Sequence, residues 1–258
     1  MRLLLNIESQ SNSVYDTTYH NKLRGRIWQA LRNTPFDSRH DTNDPAGITF
    51  SNIFPWGDLD EGEERQLLVS SPEEESLTYI AEDVQKNPEF NIGEMSFKVT
   101  DLSALEVDVG EPGSEGVIET ATGTVVRLYE KHREEYGIET DENHGDTPTY
   151  WRKEHGIKPF KDAIQDNLQH KHDLFASDYL PGVTETDEQL FESYELIKTY
   201  SLPLTVTTGK TIDVILSKWR FEYEVSNEDH RRHLNLALDT GIGGRNGYGL
   251  GFCNIRNP

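Results

Sequence analysis

Gly241-Ile-Gly-Gly-Arg-Asn-Gly-Tyr-Gly-Leu-Gly-Phe-Cys-Asn-Ile-Arg-Asn-Pro258 packs six glycines between Gly241 and Gly251. Glycine enters φ > 0 at little cost and lets another group approach bare backbone. The run is therefore expected to form a loop whose N–H groups face an anion. Its surroundings decide the fold. Before it, Asn227-Glu-Asp-His-Arg-Arg-His-Leu-Asn-Leu-Ala-Leu238 has the spacing of a helix; after it, Leu250–Arg256 reads as one short strand. A dinucleotide fingerprint instead follows a strand and opens a helix, within a βαβ unit of about 30 residues. Asn246 also stands where its third glycine belongs. Gly209-Lys210-Thr211 imitates the end of a P-loop, but the first glycine of that motif falls on Leu204, and Ile212–Leu216 suits a strand. Neither string is a nucleotide site.

Working back from the glycine run, Thr211–Val225 and Tyr194–Val206 alternate like strands. Pro159–Phe175 carries Phe160, Ile164, Leu168 and Phe175 on one helical face, and Val117–Leu128 is strand-like. A charged insertion, Tyr129–Gly156, lies between them. The other half has the same order: strand Arg2–Glu8, helix Thr18–Asn33, strands Gly47–Phe54 and Arg65–Ser71, helix Pro72–Asn87, strand Met95–Val109. Each half approximates βαββαβ. The expected fold is α+β, two tandem ferredoxin-like domains over 1–110 and 111–258, joined at the turn-rich Gly110–Gly116.

The 258 residues carry a formal net charge of -21 and only 34% hydrophobic residues. Such a balance can signal disorder, but 25 aromatic residues and clear apolar runs point to a folded core under an acidic surface. A halophilic cytoplasm would favour that surface. One cysteine, Cys253, excludes a disulfide framework or a cysteine-based zinc site within the chain. No apolar segment approaches the 18 or so residues of a membrane span, so the expectation is a cytoplasmic protein without membrane contact. Residues 1–40 run against the total, with six basic groups to three acids. That island is either an anion-binding face or a set of arginines paired with acids elsewhere.

Of nine histidines, His40 stands out, in the polar loop Asp37–Asp44 beside Arg39. A histidine near its ordinary pKa of about 6.5 can give or take a proton at neutral pH; a solvent-exposed histidine without a role would have the same surroundings. His20 shares a helix face with Arg24. His170 and His172, like His230 and His233, read as solvated surface, and no carboxylate pattern completes a metal set. No metal or cofactor is expected.

Leu23-Arg-Gly-Arg-Ile-Trp-Gln-Ala-Leu31, His40, the strand Ile48–Phe54 and the glycine loop Gly241–Phe252 together resemble the Cas-six family, CRISPR-associated endoribonucleases that cut repeat RNA into guide RNAs. The resemblance implies cleavage without a metal: the 2′-hydroxyl attacks the adjacent phosphate, leaving a 2′,3′-cyclic phosphate and a 5′-hydroxyl. It implies that His40 is the proton-transfer residue, with Arg39, Arg26, His20 and Tyr19 as candidate auxiliaries. Trp28 stands where better-known members often have a helix tyrosine, and Asp41–Gly47 contains no lysine. Arg24, Gly241, Gly243, Gly244, Arg245, Gly247, Gly249 and Gly251 would bind RNA. Repeat RNA, guide RNA and other subunits of a CRISPR effector complex are the partners it implies. A non-catalytic RNA-binding subunit of the same superfamily is the alternative.

Overall fold

The computed structural model describes residues 1–16, 18–41, 45–139, 149–179, 189–206 and 209–256, without the side chains of 40, 41 and 176–179. β1 (Arg2–Ser9) buries Leu3, Leu5 and Ile7 on one face and turns Leu4, Asn6 and Glu8 to the other, the period-2 pattern of a half-buried strand. It is central. β3 (Glu64–Ser70) pairs antiparallel on one side, Leu4 opposite Leu68, and β5 (Met95–Leu105) on the other, Leu5 opposite Leu102. β2 (Thr49–Phe50) and β4 (Glu89–Ile92) complete the order β2-β3-β1-β5-β4. α1 (His20–Ala30) and α2 (Glu74–Lys86) cover the buried face with Leu23, Ile27, Leu77, Ile80 and Val84.

The second sheet has the order β7-β8-β6-β9, from β6 (Glu115–Thr120), β7 (Ser193–Thr205), β8 (Thr211–Glu224) and β9 (Cys253–Arg256). α4 (Lys158–Tyr179) and α5 (Glu228–Thr240) lie over it; Phe160 stacks on Trp219 at 4.1 Å between ring centres. With β4 set aside as an edge hairpin, both sheets share one order, first strand between third and fourth, second strand outermost. That is the split-βαβ arrangement twice over. The fold is α+β, two ferredoxin-like units in tandem. Among the described residues no helix is long and apolar enough to cross a membrane.

Several elements differ from expectation. Gly47–Phe54 forms only the two-residue β2 and one isolated bridge at Phe54. The Val117–Leu128 strand stops at Thr120, where the chain turns into Gly123, packed against Tyr200 and Leu216. β4 and the seven-residue α3 (Glu130–Tyr136) were not anticipated; α3 lies in the charged insertion and buries only His132.

Arg2 joins the two halves. Its guanidinium is buried and donates to Asn254 Oδ1 at 2.6 Å, Cys253 O at 2.6 Å and Leu238 O at 3.0 Å, with Phe252 beneath it. Of the other early cations, Lys22 pairs with Asp16, Arg26 with Asp83 and Arg39 with Glu73. Arg26 and Arg39 thus meet the second reading of the basic island, arginines paired with acids elsewhere.

Candidate functional site

Residues 20, 24 and 28 fall four apart on α1, and the first two meet the glycine loop. His20 Nδ1 donates to the Tyr248 carbonyl at 3.0 Å. A carbonyl can only accept, so this bond fixes the proton of the neutral ring on Nδ1. Burial pulls the imidazole pKa down to about 4, so His20 is uncharged at neutral pH. Tyr19 stacks on His20 at 4.5 Å and donates to Asn52 Oδ1 at 2.6 Å; burial drives its phenol well above the usual range. Arg24 lies with its guanidinium 4.9 Å from the Tyr248 ring centre and 6.0 Å from that of Trp28.

The loop is folded onto the protein. Gly243, Gly249 and Gly251 have φ of 78°, 74° and 74°. A Cβ at Gly249 would sit 2.5 Å from Phe50 Cδ2 and 2.9 Å from Phe50 O; one at Gly243 would meet Thr124 Cγ2 at 2.7 Å. The amides of Gly241, Ile242, Gly244, Gly249 and Gly251 donate to the carbonyls of Ala237, Gly251, Val125, Asn246 and Gly123. The expectation that the run turns its N–H groups to an anion therefore fails for these five amides, which are spent on carbonyls of the protein itself. The tip differs. Gly244, Arg245 and Gly247 are partly exposed, Arg245 is left-handed at φ 58°, and Asn246–Tyr248 makes one 3-10 turn. Among the described residues, the amides of Arg245, Asn246 and Gly247 donate to no backbone carbonyl.

His40 lies in the 3-10 helix Asp37–Asp41, and its side chain is outside the described residues. The neighbouring Arg39 grips both oxygens of Glu73 and packs over Phe36 and Phe175. Six residues after His40, Ala46 touches the loop tip: a Cβ on Gly247 would be 3.2 Å from Ala46 Cβ and 3.9 Å from Arg24 Nε. The structure thus brings together Tyr19, His20, Arg24, Ala46 and the tip residues. Arg26 points away from them; its ion pair to Asp83 is 2.6 Å long.

Two expectations about surface residues fail. His172, His230 and His233 are buried, His172 stacks on His233 at 4.9 Å, and His230 accepts from Ser226 and donates to Leu190 O. Between His170 and His172, Lys171 is also buried and reaches the glycine loop. Polar residues on a helix read as solvent-facing; α4 packs this stretch against α5 and the loop, whose carbonyls accept from the lysine. Nothing in the helical spacing signals that.

The model of the family described as CRISPR-associated protein Cas6, C-terminal, matches residues 111–255. A CRISPR-associated endoribonuclease Cas6 of Haloferax mediterranei is 63% identical over 255 residues, 99% of this chain and 93% of that protein. A solved structure of a CRISPR-associated protein Cas6 superposes with a TM-score of 0.71 at 16% identity, covering 100% of this chain and 99% of the other. Another, described as a RAMP protein binding different RNA substrates, gives 0.71 at 22% identity over the full length of both chains.

Proposed function

The chain belongs to the Cas6 family of CRISPR-associated endoribonucleases, and from that premise we propose that it cuts repeat RNA into guide RNAs, with His40 carrying the proton. The 2′-hydroxyl loses its proton and attacks the adjacent phosphorus; the P–O5′ bond breaks and O5′ takes up a proton. The products are a 2′,3′-cyclic phosphate and a 5′-hydroxyl. A single histidine suits either transfer, and hydrogen-bond donors aimed at the phosphorane stabilise its charge. In this reading residues 1–110 supply the catalytic loop and 111–258 the RNA-binding loop, in a high-salt cytoplasm. Guide RNA and other effector subunits are the partners.

The observation that carries the reading is the meeting of α1, Ala46, six residues after His40, and the Gly244–Gly247 tip in one place. Contacts to RNA are assigned to that tip, with Arg245 reaching a phosphate. Gly241, Gly243, Gly249 and Gly251 act indirectly, by shaping the loop. Tyr19 and His20 form the bed under Tyr248, and Arg39 fixes the catalytic loop through Glu73.

The test is repeat RNA incubated in high salt with a chelator, with the product ends analysed. His40→Ala should cut about 10²–10⁴-fold more slowly and still bind. A variant that cuts at the wild-type rate refutes the assignment. Wild-type protein that binds without cutting would favour the non-catalytic subunit.

A further inference from the structure

Among the buried titratable groups that the cleavage scheme leaves unused, Lys171 holds the glycine loop directly. Lys171 of α4 is 1% exposed, and its Nζ donates to the carbonyls of Gly241 at 2.6 Å and Gly243 at 3.1 Å. These are the residue that ends α5 and the first bend of the glycine loop. Among the described residues no carboxylate forms an ion pair with it; its stabilising surroundings are carbonyl dipoles at the negative end of α5. The charged and titratable groups around it are few. Cys253 of β9 is pushed up to about 12 by burial and stays a thiol. Arg2 of β1 shares the Cys253 carbonyl region, and Asp239 of α5 pairs with the Met1 amino group at 2.9 Å. His172 follows on the same helix, stacked on His233.

A buried ammonium without a carboxylate partner opposes folding, and an apolar side chain of similar length would fill the space without that cost. What the charge does here is geometric: it draws two carbonyls, two residues apart, to one point. Just beyond that point the chain turns out to the partly exposed tip.

We propose that Lys171 is a positioning residue that sets the curl of the glycine loop and so presents the Gly244–Gly247 tip to RNA. This rests on the RNA-binding role given to the tip above. Burial brings the Lys171 ammonium down to about 7. Loss of its proton replaces a charge-assisted donor with a weaker neutral amine, so the grip on the loop slackens as pH rises. Stability moves the other way. The folded chain holds this proton less tightly than the unfolded one, so the unfolded state binds more protons between pH about 7 and about 10.5, and this contribution to stability rises with pH. A lysine that merely supported the fold would move stability and RNA affinity together.

The test titrates wild type, Lys171→Met and Lys171→Arg from pH about 5.5 to about 9 in high salt, spanning the ordinary histidine range and the alkaline side of Lys171. It reads the backbone amide NMR shifts of the loop glycines, the melting temperature, and Kd for a repeat RNA made uncleavable by 2′-deoxy substitution at the mapped cut. In wild type the glycine amides should titrate together near pH 7, with Kd weakening about tenfold or more over the same range. Lys171→Met should show the alkaline shifts and the weak Kd at every pH, and should lose the rise in melting temperature with pH that wild type owes to this lysine. Lys171→Arg, which keeps its charge throughout, should lose the titration and tests the idea even if the Met variant does not fold. Static wild-type amides, a Met variant with wild-type shifts and Kd, or amides that titrate without any change in Kd would each overturn the proposal. So would a midpoint on the acid side of the ordinary histidine value of about 6.5, the direction in which burial moves the neighbouring His233. Wild type that binds no repeat RNA at any pH overturns the RNA-binding role of the tip instead, and the amides still decide whether Lys171 sets the loop.

Discussion

Replacing Gly249 by alanine tests whether the glycine run is required by the protein's own packing. Two costs follow from its geometry. At φ 74° a residue with a Cβ is strained by about 1–2 kcal/mol. The new methyl also meets the Phe50 ring and, at 2.9 Å, its carbonyl oxygen; overpacking of this kind costs about 1–3 kcal/mol. Together they give about 2–5 kcal/mol, a fall of roughly 5–15 °C in Tm for a chain of this size. Gly244→Ala is the control in the same loop. Its φ is not in the left-handed region, and its Cβ would lie 3.9 Å from the Val125 oxygen, so its stability should stay within about 0.5 kcal/mol of wild type. Thermal unfolding by circular dichroism in high salt reads both. A Gly249→Ala variant melting within about a degree of wild type would refute the packing argument. A stable Gly244→Ala variant then gives a clean measurement of what the tip contributes to RNA affinity.

Arg2→Met should cost about 3–5 kcal/mol, because it leaves the buried carbonyls of Leu238 and Cys253 and the Asn254 side chain without their donor; an unchanged denaturation midpoint would show that the two halves do not depend on this contact. His20 has its pKa lowered from 6.5 to about 4, so its contribution to stability is complete above pH 6.5 and is lost as pH falls toward 4, up to about 3 kcal/mol. His20→Asn can still donate to Tyr248 O and should remove that share of the acid loss, leaving the share of His233, which burial also pulls down. Parallel stability–pH curves for the variant and wild type would contradict it.

The strands with clean alternation were legible from the sequence, as were helices with a continuous apolar face: β1, β8, α2 and α5 lie within a few residues of expectation. Misreadings arise where a partner decides. β2 is only two residues long, and its Phe50 packs on Gly249, a contact 199 residues distant in sequence. α3 carries charge on almost every turn and is held by His132 Nε2 on Asp166 at 2.7 Å, which no helical period announces. In the site, the glycine run is conspicuous in sequence, but the reasons for its glycines are not: Val125 and Phe50 approach Gly243 and Gly249 from other elements, while Ile242 crowds Gly251 from within the loop. Lys171 is hidden for the converse reason, a charged residue in a polar run whose acceptors lie on another element.

The Arg2 contact also bears on how the chain acquires its fold during synthesis. Residues 2–105 contain a complete sheet and both covering helices, so this half can form early, as N-terminal units generally do. The second sheet cannot close at that time, since β6 receives one of its two neighbours only when residues 253–256 have left the ribosome. Until then the Arg2 guanidinium lacks two of its three acceptors, Cys253 O and Asn254 Oδ1, and stays partly hydrated at the rim of the early half. Withdrawal of that charge from water is therefore among the final events of folding. Pairings between such distant segments form slowly, and a nascent chain stalled short of β9 would display a cationic edge on an otherwise acidic protein.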